Sequence, residues 1–179
     1  MENQTRSQID RMLDRVHSLD DLSADNAIEL RRISERSLVI NKFKIASAEY
    51  QNWINKVGDD IRGVEYDAQN ACIMLKERPG RMNEAAADVV REVFHQIRDR
   101  LSGTGSRYFL TGSADFSLAD KFSGSIKQAD ASLMKSECKW PDVVLEVGIS
   151  EPTNKLFEDA RRWLEGSDGN TKLVILVDI

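Results

Sequence analysis

Cysteine, histidine and proline are scarce in this 179-residue chain, with two, two and three residues respectively. Cys72 and Cys138 form no CxxC pair, and with His17 and His95 they make no zinc set of usual spacing. A disulfide framework and a Cys/His metal site are thereby excluded, and a reducing, intracellular location is the expectation. No run approaches the ~18 apolar residues that a membrane helix needs. The opening MENQTRSQID lacks the apolar core of a signal peptide, so no membrane partner is expected. Positive charge is also short: 25 Lys+Arg stand against 30 Asp+Glu, a net charge of -5. The deficit is spread evenly, without a basic or an acidic tail. Affinity for phosphate rests on Lys and Arg, so any nucleic-acid site must be a local patch that folding assembles.

What the chain does have is apolar material, 41% of its residues, beside a charged fraction of 31%. That is enough to bury a core at this length. To about residue 63 the pattern reads as a helical segment. Ile9, Met12, Leu13 and Val16 share helical spacing. Asp25 reads as the N-cap of a second helix bearing Ile28, Leu30, Ile33 and Leu38, and Tyr50, Trp53, Ile54 and Val57 form a third stripe stopped by Gly58. These helices read as a packing arm, and as the means by which the chain would form a homo-oligomer.

From residue 64 to 179 the character is that of a mixed α/β core. Val64–Lys76 reads as a hairpin turning at Asp67–Asn70. Asn83–Leu101 reads as a long helix with one stripe of Ala86, Val89, Val90, Val93, Phe94, Ile97 and Leu101, ended by Gly103 and Gly105. Short strands are expected at 107–111 and near 116–118. Residues 126–133 read as one strand with Ala129, Ala131 and Leu133 on one face. In Asp142–Ile149, Val143, Leu145, Val147 and Ile149 share one face while Val144, Glu146 and Gly148 share the other. Ser150 and Pro152 would open a helix whose buried side is Leu156, Phe157, Ala160, Trp163 and Leu164. The final Leu173–Asp178 run is apolar on both faces, as a central parallel strand should be. The expected fold is therefore a mixed central sheet with flanking helices, plus the N-terminal helical segment. The chain stops at Ile179 inside its most hydrophobic strand, which reads as a fragment of a longer chain.

Glu146 is the residue that an ordinary core does not explain. It lies among Val143, Val144, Leu145 and Val147, and burying a lone carboxylate is costly unless it is paired or binds a metal. Asp130 sits similarly one strand upstream. If the two strands are neighbours, the carboxylates converge into a hard oxygen site suited to Mg²⁺ or Mn²⁺. Pairing with Lys or Arg, or a place at a solvated strand end, is the alternative explanation of both.

The order of a helix with Glu84, a strand with Asp130, a strand with Glu146, then a helix and a strand resembles the PD-(D/E)XK, restriction-endonuclease-like superfamily. The likeness covers residues 64–179. Within that superfamily the chain is similar to a fungal group of restriction-endonuclease-like proteins. The likeness is carried by the tyrosine-led hairpin Glu65–Lys76, by Met82–Glu84 opening the long helix, by Gly112–Asp115 and by Lys127–Ala131, and its most specific segment is Pro141–Glu151, running into Leu156, Asp159–Ala160 and Trp163–Leu164. The resemblance implies a metal-dependent nuclease acting on DNA or RNA, with Mg²⁺ or Mn²⁺ held by Glu84, Asp130 and Glu146. The superfamily's lysine should stand two residues after Glu146, where this chain has Gly148. Lys155 and Lys127 are the available substitutes. Lys155 is preferred because Lys127 has the opposite strand parity from Asp130, although an ordinary Lys155–Asp159 surface pair is an equal explanation. Two readings stay open: an active nuclease using Asp130, Glu146 and Lys155, or a nuclease-like module that has lost catalysis and serves in binding. His95 reads as solvated, and Trp140 and Trp163 as packing residues.

Overall fold

Short capped helices build the first part of the chain, and the computed structural model describes residues 2–34, 36–58, 61–77, 80–101, 105–112, 114–148 and 153–179. The chain divides into two units, Met1–Arg78 and Pro79–Ile179. In the first, helix α1 (Glu2–Leu13) precedes α2 (Ala24–Ile33). The N-cap of α2 is Ser23, not Asp25. Ser23 has extended backbone and its hydroxyl accepts from the Asn26 N–H at 3.2 Å, which leaves Asp25 in the first turn, where its charge suits the helix dipole. The helix stops at Ser34, where the backbone becomes extended, so Leu38 falls in strand β1 (Leu38–Ile40) and not on the helix.

Helix α3 (Ser47–Val57) buries Tyr50 and Trp53, and the Trp53 indole N–H donates to the Leu22 carbonyl at 2.7 Å. The expected hairpin is β2 (Val64–Asp67) and β3 (Cys72–Leu75), paired antiparallel. Its turn is an Asx type: Asp67 Oδ1 accepts from the N–H groups of Gln69 and Asn70. Strand β1 pairs antiparallel with the other edge of β3. By packing, the hairpin belongs with the N-terminal helices in the first unit.

The second unit opens with α4 (Arg81–Leu101). Its buried stripe is narrower than the spacing predicts. Ala87 and Phe94 are buried with Ala86, Val90 and Ile97 beside them, while Val89 and Val93 face outward, Val89 being 69% exposed. Strands β4 (Tyr108–Thr111), β5 (Asp115–Ser117), β6 (Ile126–Gln128), β7 (Ala131–Lys135) and β8 (Val143–Gly148) follow. Helix α5 (Thr153–Gly166) and strand β9 (Leu173–Asp178) complete the unit. One sheet has the order β4-β7-β8-β9, with β8 and β9 parallel and the other pairs antiparallel. Strand β5 pairs antiparallel with β6. The chain is thus a mixed α/β protein whose strand pairs are mostly antiparallel.

Strand β8 is buried on both faces. Leu145 and Val147 pack with Ala131, Leu133, Ala87 and Phe94 on the α4 side. Val144 packs with Trp163, Phe116 and Ala129 on the α5 side. Three expectations change here. Residues 126–133 are not one strand: β6 ends at Gln128 and β7 begins at Ala131, so Ala129 and Ala131 enter different cores. On α5 the buried face is Leu156, Asp159, Trp163 and Gly166, and Phe157 and Leu164 are exposed, because the helix turns its polar Asp159 inward towards a lysine. Among the described residues β9 lies at the edge of the sheet and is only half-buried, so its apolar run does not mark a central strand. The positions assigned to Ile149, Ser150, Pro152 and Gly103 lie outside the described residues.

Candidate functional site

Two neighbouring strands carry the acids. Ala131 of β7 stands opposite Leu145 of β8, and one step further the Asp130 N–H donates to the Leu145 carbonyl at 3.1 Å. The Asp130 side chain lies across β8, with Oδ2 accepting from the Val147 N–H at 2.7 Å. Asp130 therefore continues the β7–β8 pairing by one step, with its carboxylate on the backbone of the residue after Glu146.

Glu146 is 3% exposed, and its charge is met from two directions. Trp163 Nε1 donates to Glu146 Oε1 at 2.5 Å, and Lys127 Nζ lies 3.3 Å from the same oxygen. Lys127, itself 2% exposed, also donates to Asp159 Oδ1 at 2.8 Å. Lys155 Nζ closes the chain of charges on Asp159 Oδ2 at 3.1 Å. Two carboxylates and two ammonium groups thus alternate, with the Lys127 ammonium also 5.9 Å from the centre of the Trp163 ring.

The local sequence explains how these groups meet. Lys155, Asp159 and Trp163 are four residues apart, so they share one face of α5 and stack along it towards β8. Strand alternation puts Glu146 on the same side as Val144, the side that α5 covers. The interruption between β6 and β7 resets the alternation, so the parity argument against Lys127 fails. The Lys127 ammonium approaches Glu146, and the Lys155 ammonium approaches Asp159.

Burial pushes the Asp159 carboxyl up, but the Lys127 and Lys155 ammonium groups and their hydrogen bonds outweigh it, holding the carboxyl far below the ordinary aspartate value. Removing one member of such a buried set typically costs about 3–5 kcal/mol, since a charge is left without its partner. Among the described residues one buried side-chain oxygen lacks a hydrogen bond, Asp142 Oδ2, and it precedes β8 at the end away from Glu146.

Glu84 does not join Asp130 and Glu146. It is exposed on α4, 3.5 Å from Arg91 Nη1, and Arg91 also binds Asp88 and donates to the Asp130 carbonyl at 3.3 Å. Arg91 thus ties α4 to the backbone of the acid strand. His95 is exposed, as expected. Among the described residues no three His, Cys, Asp or Glu side chains are grouped as a metal ion would require. Mg²⁺ and Mn²⁺ take oxygen donors, and the carboxylates of neighbouring strand segments that remain for such an ion are those of Asp130 and Glu146.

Gly148 is a packing requirement. A β-carbon there would stand 2.8 Å from Leu156 Cδ1 and 3.0 Å from Leu156 Cγ, so α5 occupies the space that a lysine would need. Sequence reasoning missed Asp159 as a member of the site and took Trp163 for packing alone. The signal available was the four-residue spacing along Lys155, Asp159 and Trp163, opposite a strand carrying a carboxylate. Compared with known proteins, the chain matches no family model, no curated protein and no solved structure.

Proposed function

We propose that the second unit is a restriction-endonuclease-like core that hydrolyses phosphodiesters in DNA or RNA with Mg²⁺ or Mn²⁺, using Asp130 and Glu146 as the acids and Lys127 in place of the lysine absent at Gly148. The observation that carries this reading is the Lys127 ammonium 3.3 Å from Glu146, whose strand neighbours that of Asp130. Two acids and a lysine is the constellation that the resemblance implies, with the lysine supplied from another strand. Asp130 and Glu146 would hold the ion, and Lys127 would offset the negative charge that builds on the phosphate. A divalent ion bound there supplies Lewis acidity and lowers the pKa of its water. The test is cleavage of single- and double-stranded DNA and RNA by the full chain in Mg²⁺ and in Mn²⁺. Activity abolished by Glu146→Gln and by Lys127→Met is expected, and no cleavage of any substrate overturns the reading.

A second reading, a nuclease-like module that binds without hydrolysis, is favoured by the burial of Lys127, Glu146 and Asp159 and by the charge balance that Lys155 completes. Every charge in that set is already compensated inside the chain, so an added divalent ion would have to displace an ammonium. Calorimetric titration with Mn²⁺ separates the two. Binding lost in Asp130→Asn supports the first reading, and no binding supports the second.

A further inference from the structure

Asp159 is a buried acid on α5, 6% exposed. Its two oxygens are divided between two lysines: Oδ1 takes Lys127 at 2.8 Å and Oδ2 takes Lys155 at 3.1 Å. Lys127 is 2% exposed and Lys155 28%, so the first partner is enclosed while the second reaches towards water. The Lys127 approach to Asp159 is shorter than its approach to Glu146, which is 3.3 Å. A lysine ammonium is a compact charge on a flexible four-carbon stem, and its position is set by whichever acceptors fix it. Here the fixed acceptor rides on α5, whose Trp163 also donates to Glu146. One helix therefore aims both the lysine and the carboxylate.

We infer that Asp159 is the positioning residue of this site, holding the Lys127 ammonium against Glu146, with Lys155 anchoring Asp159 from the solvent side. This rests on the proposed hydrolytic role of Lys127, but the geometric part stands apart from it. The Asp159 carboxylate is bonded to Lys127 and Lys155, and its effect on Glu146 passes through Lys127. Removing an outer partner of this kind typically lowers activity by about 10–100-fold, because the group it held loses its fixed position.

The experiment uses the full-length chain and two readouts. One is the ¹H–¹⁵N resonance of the Lys127 ammonium, assigned by its loss in Lys127→Met and visible when the group is buried and held. The other is the kcat and KM for metal-dependent cleavage. Asp159→Asn is expected to broaden the ammonium signal beyond detection and to lower kcat about tenfold or more with KM unchanged, and Asp159→Glu to restore part of both. If Asp159→Asn does not fold, judged by circular dichroism, Lys155→Met serves in its place and should broaden the same resonance. An unchanged Lys127 signal in the variant, or none in the parent chain, overturns the inference. If the parent chain cleaves nothing, the nuclease reading fails and the ammonium signal alone decides the positioning role. If cleavage persists with unaltered kcat in Asp159→Asn, the positioning role fails and the nuclease reading stands.

Discussion

The indole nitrogen of Trp163 donates a 2.5 Å hydrogen bond to Glu146 Oε1, joining the last turn of α5 to β8 inside the core. Trp163 is wholly buried, with its ring edge-on to Phe116 at 5.4 Å between centroids. The residue supplies both apolar area and a donor to the one acid in the strand. Trp163→Phe keeps most of the ring and removes the donor, leaving a carboxylate less well satisfied. The expected loss is about 1–3 kcal/mol, read from urea unfolding of the parent chain and the variant. A change below the error of that measurement would mean that the bond contributes nothing net.

Gly148→Ala should be destabilising although the substitution is minimal, because its β-carbon meets Leu156 at the heart of the α5–β8 contact. Overpacking of this kind typically costs about 1–3 kcal/mol. Adding Leu156→Ala should recover part of that loss, so the two changes together cost less than their sum. Purely additive effects in urea melts would show that the two side chains do not compete for space.

Asp159 gives the fold an acid limb. Its folded-state carboxyl is held below the ordinary value of 3.8 by the two lysines, despite burial. A depressed folded pKa contributes stability that is fully present above the unfolded value and is lost as the pH falls towards the folded one. Stability should therefore decline below about pH 4, and Asp159→Asn should flatten that part of the profile while lowering stability at neutral pH. Urea midpoints between pH 6 and pH 2.5 check the difference in slope. Parallel profiles for the two proteins would contradict it.

Glu84 is the acid whose removal should matter least. Its partner Arg91 is also bound to Asp88 and to the Asp130 carbonyl, so the exposed pair is replaceable. Glu84→Ala should change stability by no more than about 0.5 kcal/mol. Under the two-acid reading it should also leave Mn²⁺ affinity essentially unaltered, whereas Asp130→Asn removes it. Loss of Mn²⁺ binding in Glu84→Ala, by calorimetry, would restore the three-acid arrangement that the resemblance implies.

Much of this architecture could be read from residue spacing. The Asp67–Asn70 turn, the long α4 helix and the alternation of β8 all follow from local pattern, because each element's own residues decide them. Glu146 was legible as an anomaly, since a carboxylate among valines demands a partner. The identity of that partner was not. Lys127 lies nineteen positions before Glu146, and its approach depends on where β6 stops, a tertiary event with no local signal. Phe157 and Leu164 misled for a related reason. Apolar residues on an amphipathic helix imply an inward face, but α5 directs Lys155, Asp159 and Trp163 to the strand acid and leaves those two outside. The Gly148 departure looked like a chemical loss in the sequence and has a steric cause in the fold.

The two-residue gap between Gln128 and Ala131 acts as a change of phase along the chain. Before it, Lys127 is delivered to the α5 side; after it, Ala131 and Leu133 are delivered to the α4 side, and Asp130 at the joint spends its carboxylate on the next strand's backbone. A regular strand repeats every two residues and would have sent Lys127 and Ala131 to the same side. The polar network and the α4 core are thus kept apart by a single irregularity in the backbone. The charges of this protein are sorted by a missing stretch of strand rather than by any one residue's chemistry.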